Sequence, residues 1–268
     1  MTILASVKVR DGLVLATDSM TQISAKLPNG QFAVIKAYSH ARKLFQIGTL
    51  PVGIMSWGAG NIGPRSVEGL VLDFARHMDG YVKGEPAVRA VAEGLLLFVK
   101  EIYDEAHKGS QVEQRPVLGF LVGGYSPEGK FAEEFEFLLP TQSAVKPVRP
   151  PDGFGASWRG IVVPFRRLYR GFDPRIPEEL KSLGVSDDIL RQVFDSGKWN
   201  LPFVYDGMPL RDALDHAIFI LKTTIDTATF EVGPAPTCGG PLQVAVILPD
   251  RTWEWVSKPV LALEGGEG

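Results

Sequence analysis

The fold is decided near the amino end by residues 2–18, which read TILASVKVRDGLVLATD. Two runs of strand-forming residues, Ile3 to Val9 and Leu13 to Thr17, flank the turn signal Arg10-Asp11-Gly12. A connection this short joins antiparallel neighbours, so the pattern predicts a β-hairpin. Asp18 ends the second strand, and we expect the hairpin to bring it back beside the first residues of the chain.

Beyond the hairpin, strand-like stretches give way to helical periodicity and then return. Two successive amphipathic helices, each with one apolar face, need a sheet to cover. No internal repeat or low-complexity linker divides the chain, so we predict one α+β domain over residues 1–268 rather than alternating βαβ units. The predicted order is strands to about residue 58, helices at 67–78 and 88–102, strands at 117–138, a helix at 210–225 and strands at 243–256.

Composition narrows the function classes. The chain has 268 residues, 45% of them apolar, and its 28 Lys+Arg against 31 Asp+Glu give a net charge of −3. A balance this close to neutral supplies no basic field, so nucleic acid is not expected as a partner. No apolar run approaches the roughly 20 residues of a membrane helix, and no secretory segment opens the chain. With a single cysteine, Cys238, we expect a cytoplasmic protein in a reducing compartment and no membrane partner.

Familiar catalytic motifs are absent from the sequence. It contains no GxxxxGK[ST], HExxH or GxSxG pattern, and one cysteine cannot build a multi-cysteine metal site. Adjacent carboxylates such as Glu133 and Glu134 are expected to lie on a solvated face rather than to form an acid–base pair. We therefore predict no metal site.

The remaining candidate is Thr2, which follows only Met1. If Met1 is removed, Thr2 carries a hydroxyl nucleophile and a free α-amine in one residue. A threonine hydroxyl needs a base, and an α-amine with a pKa of about 7.7–8.0 is suited to that role near pH 7. A nearby lysine would keep the amine neutral, and a carboxylate would hold the lysine. Lys43 and Asp18 lie on strand-like segments where such a cluster would form.

These residues belong to a pattern that resembles the proteasome β-type subunits, over Thr2 to about Val256. Each motif is short, but they follow one another in the order of that family. The motifs are Thr2 with Asp18, the lysine-bearing segment Arg42 to Ile47, the small-residue turn Ser56 to Gly60, the late helix Leu210 to Leu214 and the glycine-then-strand element Cys238 to Ile247.

The resemblance implies an N-terminal-nucleophile (Ntn) hydrolase fold, a four-layer αββα sandwich of two antiparallel sheets flanked by helices. It implies that Thr2 is nucleophile and general base, that Lys43 lowers the proton affinity of the amine and that Asp18 orients Lys43. The backbone N–H of Gly58 would donate to the oxyanion. The implied activity is a threonine-type peptidase that cleaves amide bonds through an acyl-enzyme, without metal or organic cofactor.

The same resemblance implies partners and an insertion. A peptide or unfolded protein is the expected substrate, and self-association into ring-like or stacked homo-oligomers is expected. The sequence names no unfoldase. Residues at about 173–207 are expected to form an insertion relative to the common family layout.

The chain also departs from the family pattern. Residues 29–40 extend the segment before the lysine. Ala156 stands where the family has a supporting serine, with Ser157 next to it, and Ala235 and Cys238 replace an aspartate and a serine. These losses and Met1 support one alternative, a catalytically inactive ring-forming scaffold or binding protein. A second alternative, a small-molecule amidase of the same fold class, differs from the peptidase in its substrate.

Overall fold

The computed structural model describes residues 2–26, 32–84, 86–232 and 237–258. The strands are β1 (Ile3–Val9), β2 (Gly12–Thr17), β3 (Thr21–Lys26), β4 (Phe32–Tyr38), β5 (Leu44–Gln46), β6 (Val52–Gly58), β7 (Asn61–Ile62), β8 (Arg65–Ser66), β9 (Leu118–Gly124), β10 (Glu133–Leu139), β11 (Lys146–Pro147), β12 (Gly155–Gly160), β13 (Gln243–Ile247) and β14 (Trp253–Ser257). The helices are α1 (Val67–Arg76), α2 (Val88–Ala106), α3 (Val163–Arg170), α4 (Ile176–Ser182), α5 (Asp187–Leu190) and α6 (Leu210–Phe230).

Two antiparallel five-stranded sheets account for most of the strands in these residues. Sheet I has the order β12-β1-β2-β13-β14, and sheet II has the order β11-β10-β9-β6-β5. The predicted hairpin is confirmed, because β1 and β2 pair directly with Leu4 opposite Thr17 and Val9 opposite Gly12. The predicted α+β class is confirmed as well.

Alternation along the strands separates three apolar clusters. In β1, Ile3, Ala5, Val7 and Val9 point to one face and pack with residues of α3 and α6, as do Val14 and Ala16 of β2. On the other side of the molecule, α1 and α2 pack their apolar faces against β5, β6, β9 and β10 of sheet II. A third cluster joins the two sheets through residues such as Leu15, Met55, Leu121 and Ile247.

The space between the sheets is apolar in one part and ionic in another. Ser6 and Lys8 of β1 alternate with the residues that face α6, so they point toward sheet II. There the Ser6 hydroxyl donates to the Glu134 carboxylate, which also pairs with Arg149 at 2.6 Å. The expectation that Glu134 is solvated is wrong, because its side chain is 0% exposed. Its neighbour in β10, Phe135, faces the helices, so Glu134 points to the other face of the strand, between the two sheets.

The predicted N-terminal run of strands includes residues 32–38, which form β4 and pair with β3 as a separate two-stranded ribbon; residues 27–31 lie outside the described residues. Strand β12 and helix α3 were not anticipated from the sequence. Strand β12 pairs with β1 at the edge of sheet I, and α3 follows it. Residues 173–207 contain α4 and α5. Their contacts with the rest of the chain include the Tyr205 hydroxyl, 3.1 Å from the His216 imidazole, and Asp206, which pairs with Arg10 at 2.6 Å.

Membrane-spanning character is not found in the described helices. None combines the length and the hydropathy that a bilayer crossing requires. The longest, α6, buries one face against β1 and β2 and exposes Arg211, Asp212 and Asp215 on the other.

Candidate active site

A buried ion pair joins the ends of two strands from different sheets. Asp18 directly follows β2 in sheet I, and Lys43 directly precedes β5 in sheet II. The Lys43 ammonium lies 2.8 Å from Asp18 Oδ1, and the two side chains are 8% and 0% exposed. Lys43 also donates to the carbonyl of Met20. The structure thus brings together two of the predicted site residues.

Asp18 is held by backbone donors as well as by Lys43. Its Oδ1 accepts from the Ile3 N–H at 3.2 Å, and its Oδ2 accepts from the N–H groups of Gly239 at 3.0 Å and Met20 at 3.3 Å. A buried carboxylate is costly unless its oxygens are hydrogen-bonded. These contacts fix the carboxylate and tie it to the start of β1, one residue from Thr2.

Burial perturbs both members of the pair. It lowers the pKa of the Lys43 ammonium, and the Asp18 carboxylate opposes that shift. Burial likewise raises the pKa of the Asp18 carboxyl, against the opposing effects of Lys43 and the backbone donors. A lysine with a lowered pKa gives up its proton more readily than an exposed one, as is common at catalytic sites.

Gln243 holds the backbone that carries Lys43. Its Oε1 accepts from the N–H groups of Lys43 at 3.0 Å and Leu44 at 3.1 Å. Its Nε2 donates to the carbonyl of Ala41 at 2.7 Å. Gln243 opens β13 in sheet I, so this side chain crosses from one sheet to the segment that enters the other.

A cavity of about 150 Å³ lies beside the ion pair. Thr2, Lys43 and Gly58 all line it, so the cavity collects the predicted nucleophile, lysine and oxyanion donor. We call it the Thr2 cavity. Its remaining lining residues are Thr21, Gln22, Ala41, Arg42, Ser56, Trp57, Ala59, Gly60, Ser66, Val67 and Glu68.

Gly58 lines this cavity at the end of β6, and its backbone N–H points to the β5 side of that strand. In β6 the Ser56 N–H bonds to the Lys43 carbonyl on the β5 side, and the Ala59 N–H bonds to the Val117 carbonyl on the β9 side. Because alternate residues of a strand point their N–H groups to the same side, the Gly58 N–H points to the β5 side, as Ser56 does. Gly58 has φ +91°, and a Cβ there would lie 2.3 Å from the Val117 oxygen, so only glycine fits this turn.

Other residues singled out from the sequence do not reach the cavity lining. Ala156 and Ser157 lie on β12, where Ser157 accepts a hydrogen bond from Arg149 at 2.8 Å. Cys238 is buried in the apolar cluster beneath α6, as expected of a small hydrophobic residue, and burial raises the pKa of its thiol to about 12. Met1 and Ala235 lie outside the described residues.

Two site residues were missed by sequence reasoning. Gln243 was included only as part of a strand motif, and Gly239 only as part of the turn before it. A polar residue at the first position of an otherwise apolar strand, QVAVI, is the one local signal for Gln243. Its partners lie 199 to 202 residues away in the sequence, so spacing does not reveal them.

Comparison with known proteins finds likeness in structure. No protein-family model matches the chain, and neither does any curated protein. Anbu (ancestral beta-subunit) from Yersinia bercovieri superposes with a TM-score of 0.54 at 16% identity, over 96% of this chain and 87% of that chain. The Gly-1 mutant of Anbu from Hyphomicrobium sp. strain MC1 gives 0.56 at 12% identity, over 98% and 89%. The helical assembly of the Anbu complex from Pseudomonas aeruginosa gives 0.51 at 17% identity, over 97% and 88%.

These neighbours correct one expectation. The chain is not supported as a proteasome β-type subunit: the three solved structures named above are Anbu proteins, which are proteasome-like but distinct. The hairpin, the lysine-bearing strand and the glycine turn that suggested the family are features of the fold, and a fold is shared more widely than a family. At these identities the likeness concerns the fold alone.

Proposed function

We propose that this chain is an N-terminal threonine hydrolase that cleaves amide bonds, most directly those of peptides, after removal of Met1. The observation that carries the proposal is the meeting of Thr2, Lys43 and Gly58 around one cavity, with Lys43 paired to a buried Asp18. The composition of this cavity matches what an N-terminal nucleophile needs: an alcohol, a cation and a backbone donor.

In this proposal the Thr2 hydroxyl attacks the substrate carbonyl while the α-amine of Thr2 takes its proton. The new C–O bond forms as the carbonyl π bond becomes an oxyanion, to which the Gly58 N–H donates. Collapse of that intermediate breaks the C–N bond, and the leaving amine receives the proton from the α-ammonium. Water then hydrolyses the resulting ester by the same route. Lys43 keeps the α-amine neutral through its charge, and Asp18 holds Lys43 in place.

We further propose the four-layer αββα arrangement of the Ntn hydrolases for this chain. The three apolar clusters support this arrangement. One lies between sheet II and the helices α1 and α2, one lies between the two sheets, and one lies between sheet I and the helices α3 and α6. One domain with an insertion at 173–207 fits this arrangement. Self-association into rings or helical stacks is part of the same proposal, supported by the helical assembly of the Pseudomonas aeruginosa neighbour.

The test is the Thr2→Ala variant, compared with the parent protein on a panel of fluorogenic peptides and small amides. We expect parent turnover and no turnover above background by the variant, a loss of at least about 1000-fold, because the nucleophile is gone. Intact mass should show that active protein lacks Met1. A peptide epoxyketone, which bridges an α-amine and a hydroxyl of one residue, should add its full mass to the parent and none to Thr2→Ala.

The Thr224→Val variant is the control, because Thr224 is a buried threonine on α6 whose hydroxyl bonds only to the Ile220 carbonyl among the described contacts. It should keep parent activity. Full activity in Thr2→Ala, or activity in protein that retains Met1, would overturn the proposal. A parent that assembles but hydrolyses nothing would favour the scaffold instead, and turnover of small amides alone would favour the amidase.

A further inference from the structure

We infer that Gln243, on β13 of sheet I, positions Lys43 at the entry to sheet II. Through that position Gln243 sets the electrostatics of the Thr2 cavity. This inference rests on the proposed function, but part of its test does not need activity. Gln243 is 1% exposed and uses its amide on three backbone groups of one short segment, Ala41 to Leu44.

The three contacts fit an amide and no other side chain of that length. Oε1 receives two N–H groups and Nε2 gives one proton to a carbonyl, so both ends of the amide are satisfied. A carboxylate would accept the two N–H groups but would meet the Ala41 carbonyl without a proton to donate. A methionine would offer neither function, so the Lys43 N–H, the Leu44 N–H and the Ala41 carbonyl would each lose the hydrogen bond that Gln243 makes.

The segment held by Gln243 determines where Lys43 lies. Lys43 N bonds to Gln243, Lys43 O accepts from Ser56 N on β6, and Lys43 Nζ contacts Asp18. Gln243 therefore supplies the one of these three contacts that links the Lys43 backbone to sheet I. Without it, the Lys43 and Leu44 N–H groups lose their acceptor on β13, while the Ala41 N–H keeps its bond to the Ser19 carbonyl. The Lys43 backbone is then held less firmly against β13, and its ammonium is positioned less precisely.

Such movement has a defined electrostatic consequence. Among the described residues, the charged and titratable groups near Lys43 include Asp18 and Cys238 beside it, and Arg42 and Glu68 in the cavity lining. Looser packing admits water, which relieves the burial that lowers the pKa of Lys43, so that pKa rises. An ammonium that lies farther from Thr2 suppresses protonation of the α-amine less, so the pKa of the amine rises too.

The experiment compares the parent with Gln243→Met, using Thr224→Val as the control for loss of a buried hydrogen bond. We expect kcat of Gln243→Met to fall about 10- to 100-fold, as small misplacements of catalytic groups do, with KM within about twofold. Both limbs of the pH–rate profile should move to higher pH. Thr224→Val should keep the parent rate and profile.

Two measurements on the protein without substrate complete the test. Hydrogen exchange should show lost protection at the amides of Lys43 and Leu44 in Gln243→Met, with recovery in Gln243→Glu, which still accepts both. NMR of the lysine ammonium should show the rise in the pKa of Lys43. If the parent lacks activity, the proposed function fails, yet these two readouts still decide whether Gln243 positions Lys43.

A rate loss that only follows the unfolded fraction, with an unmoved pH profile, would overturn the inference and leave Gln243 a structural residue. Unchanged protection at Lys43 and Leu44 in Gln243→Met would overturn it as well. Lost protection together with the shifted profile would support it.

Discussion

Two buried ion pairs contact strand β1, and they are nearly identical by burial. Asp18–Lys43 lies at the start of the strand, where Asp18 accepts from Ile3; Glu134–Arg149 lies farther along, where Glu134 accepts from Ser6. The side chains are 0% and 8% exposed in the first pair, and 0% and 11% in the second. Both pairs connect the two sheets. Asp18 follows β2 of sheet I and Lys43 precedes β5 of sheet II, whereas Glu134 lies in β10 of sheet II and Arg149 donates to Ser157 of sheet I.

Their surroundings differ. Lys43 lines the cavity that also contains Thr2 and Gly58, whereas neither Glu134 nor Arg149 is among the residues that line it. Arg149 instead donates to Ser157 on β12, so the second pair ends in another structural contact. Burial and pairing alone therefore do not identify a site, because interior ion pairs also serve architecture. Adjacency to a nucleophile and an open volume separates the two.

The sharpest way to test this difference is to remove one lysine near each pair. Lys43→Met should lower kcat/KM about 1000-fold or more, because the charge that keeps the Thr2 amine neutral is lost. Lys8→Met is the matched variant: Lys8 is 1% exposed and its ammonium donates to the Pro151 carbonyl at 2.6 Å, outside the Thr2 cavity. It should retain the parent rate per folded molecule. Peptide turnover, normalised to folded protein by circular dichroism, measures both.

A second prediction concerns stability at the Glu134–Arg149 pair. Glu134→Gln leaves a buried guanidinium uncompensated and should lower the free energy of unfolding by about 3–5 kcal/mol. Adding Arg149→Met to Glu134→Gln removes the stranded charge, so the double variant should regain part of that loss. Urea denaturation of the two variants gives the comparison. If the losses in the free energy of unfolding from Glu134→Gln and Arg149→Met simply add in the double variant, the two residues are not coupled.

The third prediction, with the smallest expected effect, concerns the decline of the hydrolysis rate at high pH. Burial lowers the pKa of Lys43 and also that of Lys8, so the shift alone does not tell them apart. The proposed mechanism needs the charged form of Lys43, which is present below its folded pKa and lost as the pH rises through it. We therefore expect the rate to decline at a pH below 10.5, the ordinary value for lysine, and the decline to persist unchanged in Lys8→Met. A decline that moves in Lys8→Met would assign it to the wrong lysine.

Much of the fold follows from local pattern in the sequence. The run TILASVKVRDGLVLATD contains both strands and their turn, and apolar residues at helical spacing predict α1, α2 and α6. These elements depend on contacts that are near in sequence or on one continuous face. The positions predicted for Thr2, Lys43 and Gly58 rest on that scaffold, and the structure brings all three to one cavity.

Long-range polar contacts were beyond the reach of such patterns. Strand β12 alternates apolar Ala156 and Trp158 with polar Ser157 and Arg159, but only over six residues that begin and end in glycine. So short an alternation is a weak strand signal, and the pairing of β12 with β1 supplies the order. Glu134 appears solvated in sequence because its partner Arg149 lies on another segment. The role of Gln243 could not be predicted for the same reason, because its partners lie about 200 residues away in the sequence.

The polar part of the inter-sheet space has a further consequence. Two apolar faces in contact can shift relative to each other at little cost, because hydrophobic contacts are non-directional. Ser6 and Arg149 on Glu134, with Arg159 on Glu136 at 2.7 Å, accept only one alignment of sheet I on sheet II. Those contacts thereby fix β10 of sheet II against β1 and β12 of sheet I, and so set the spacing between the two sheets along this edge.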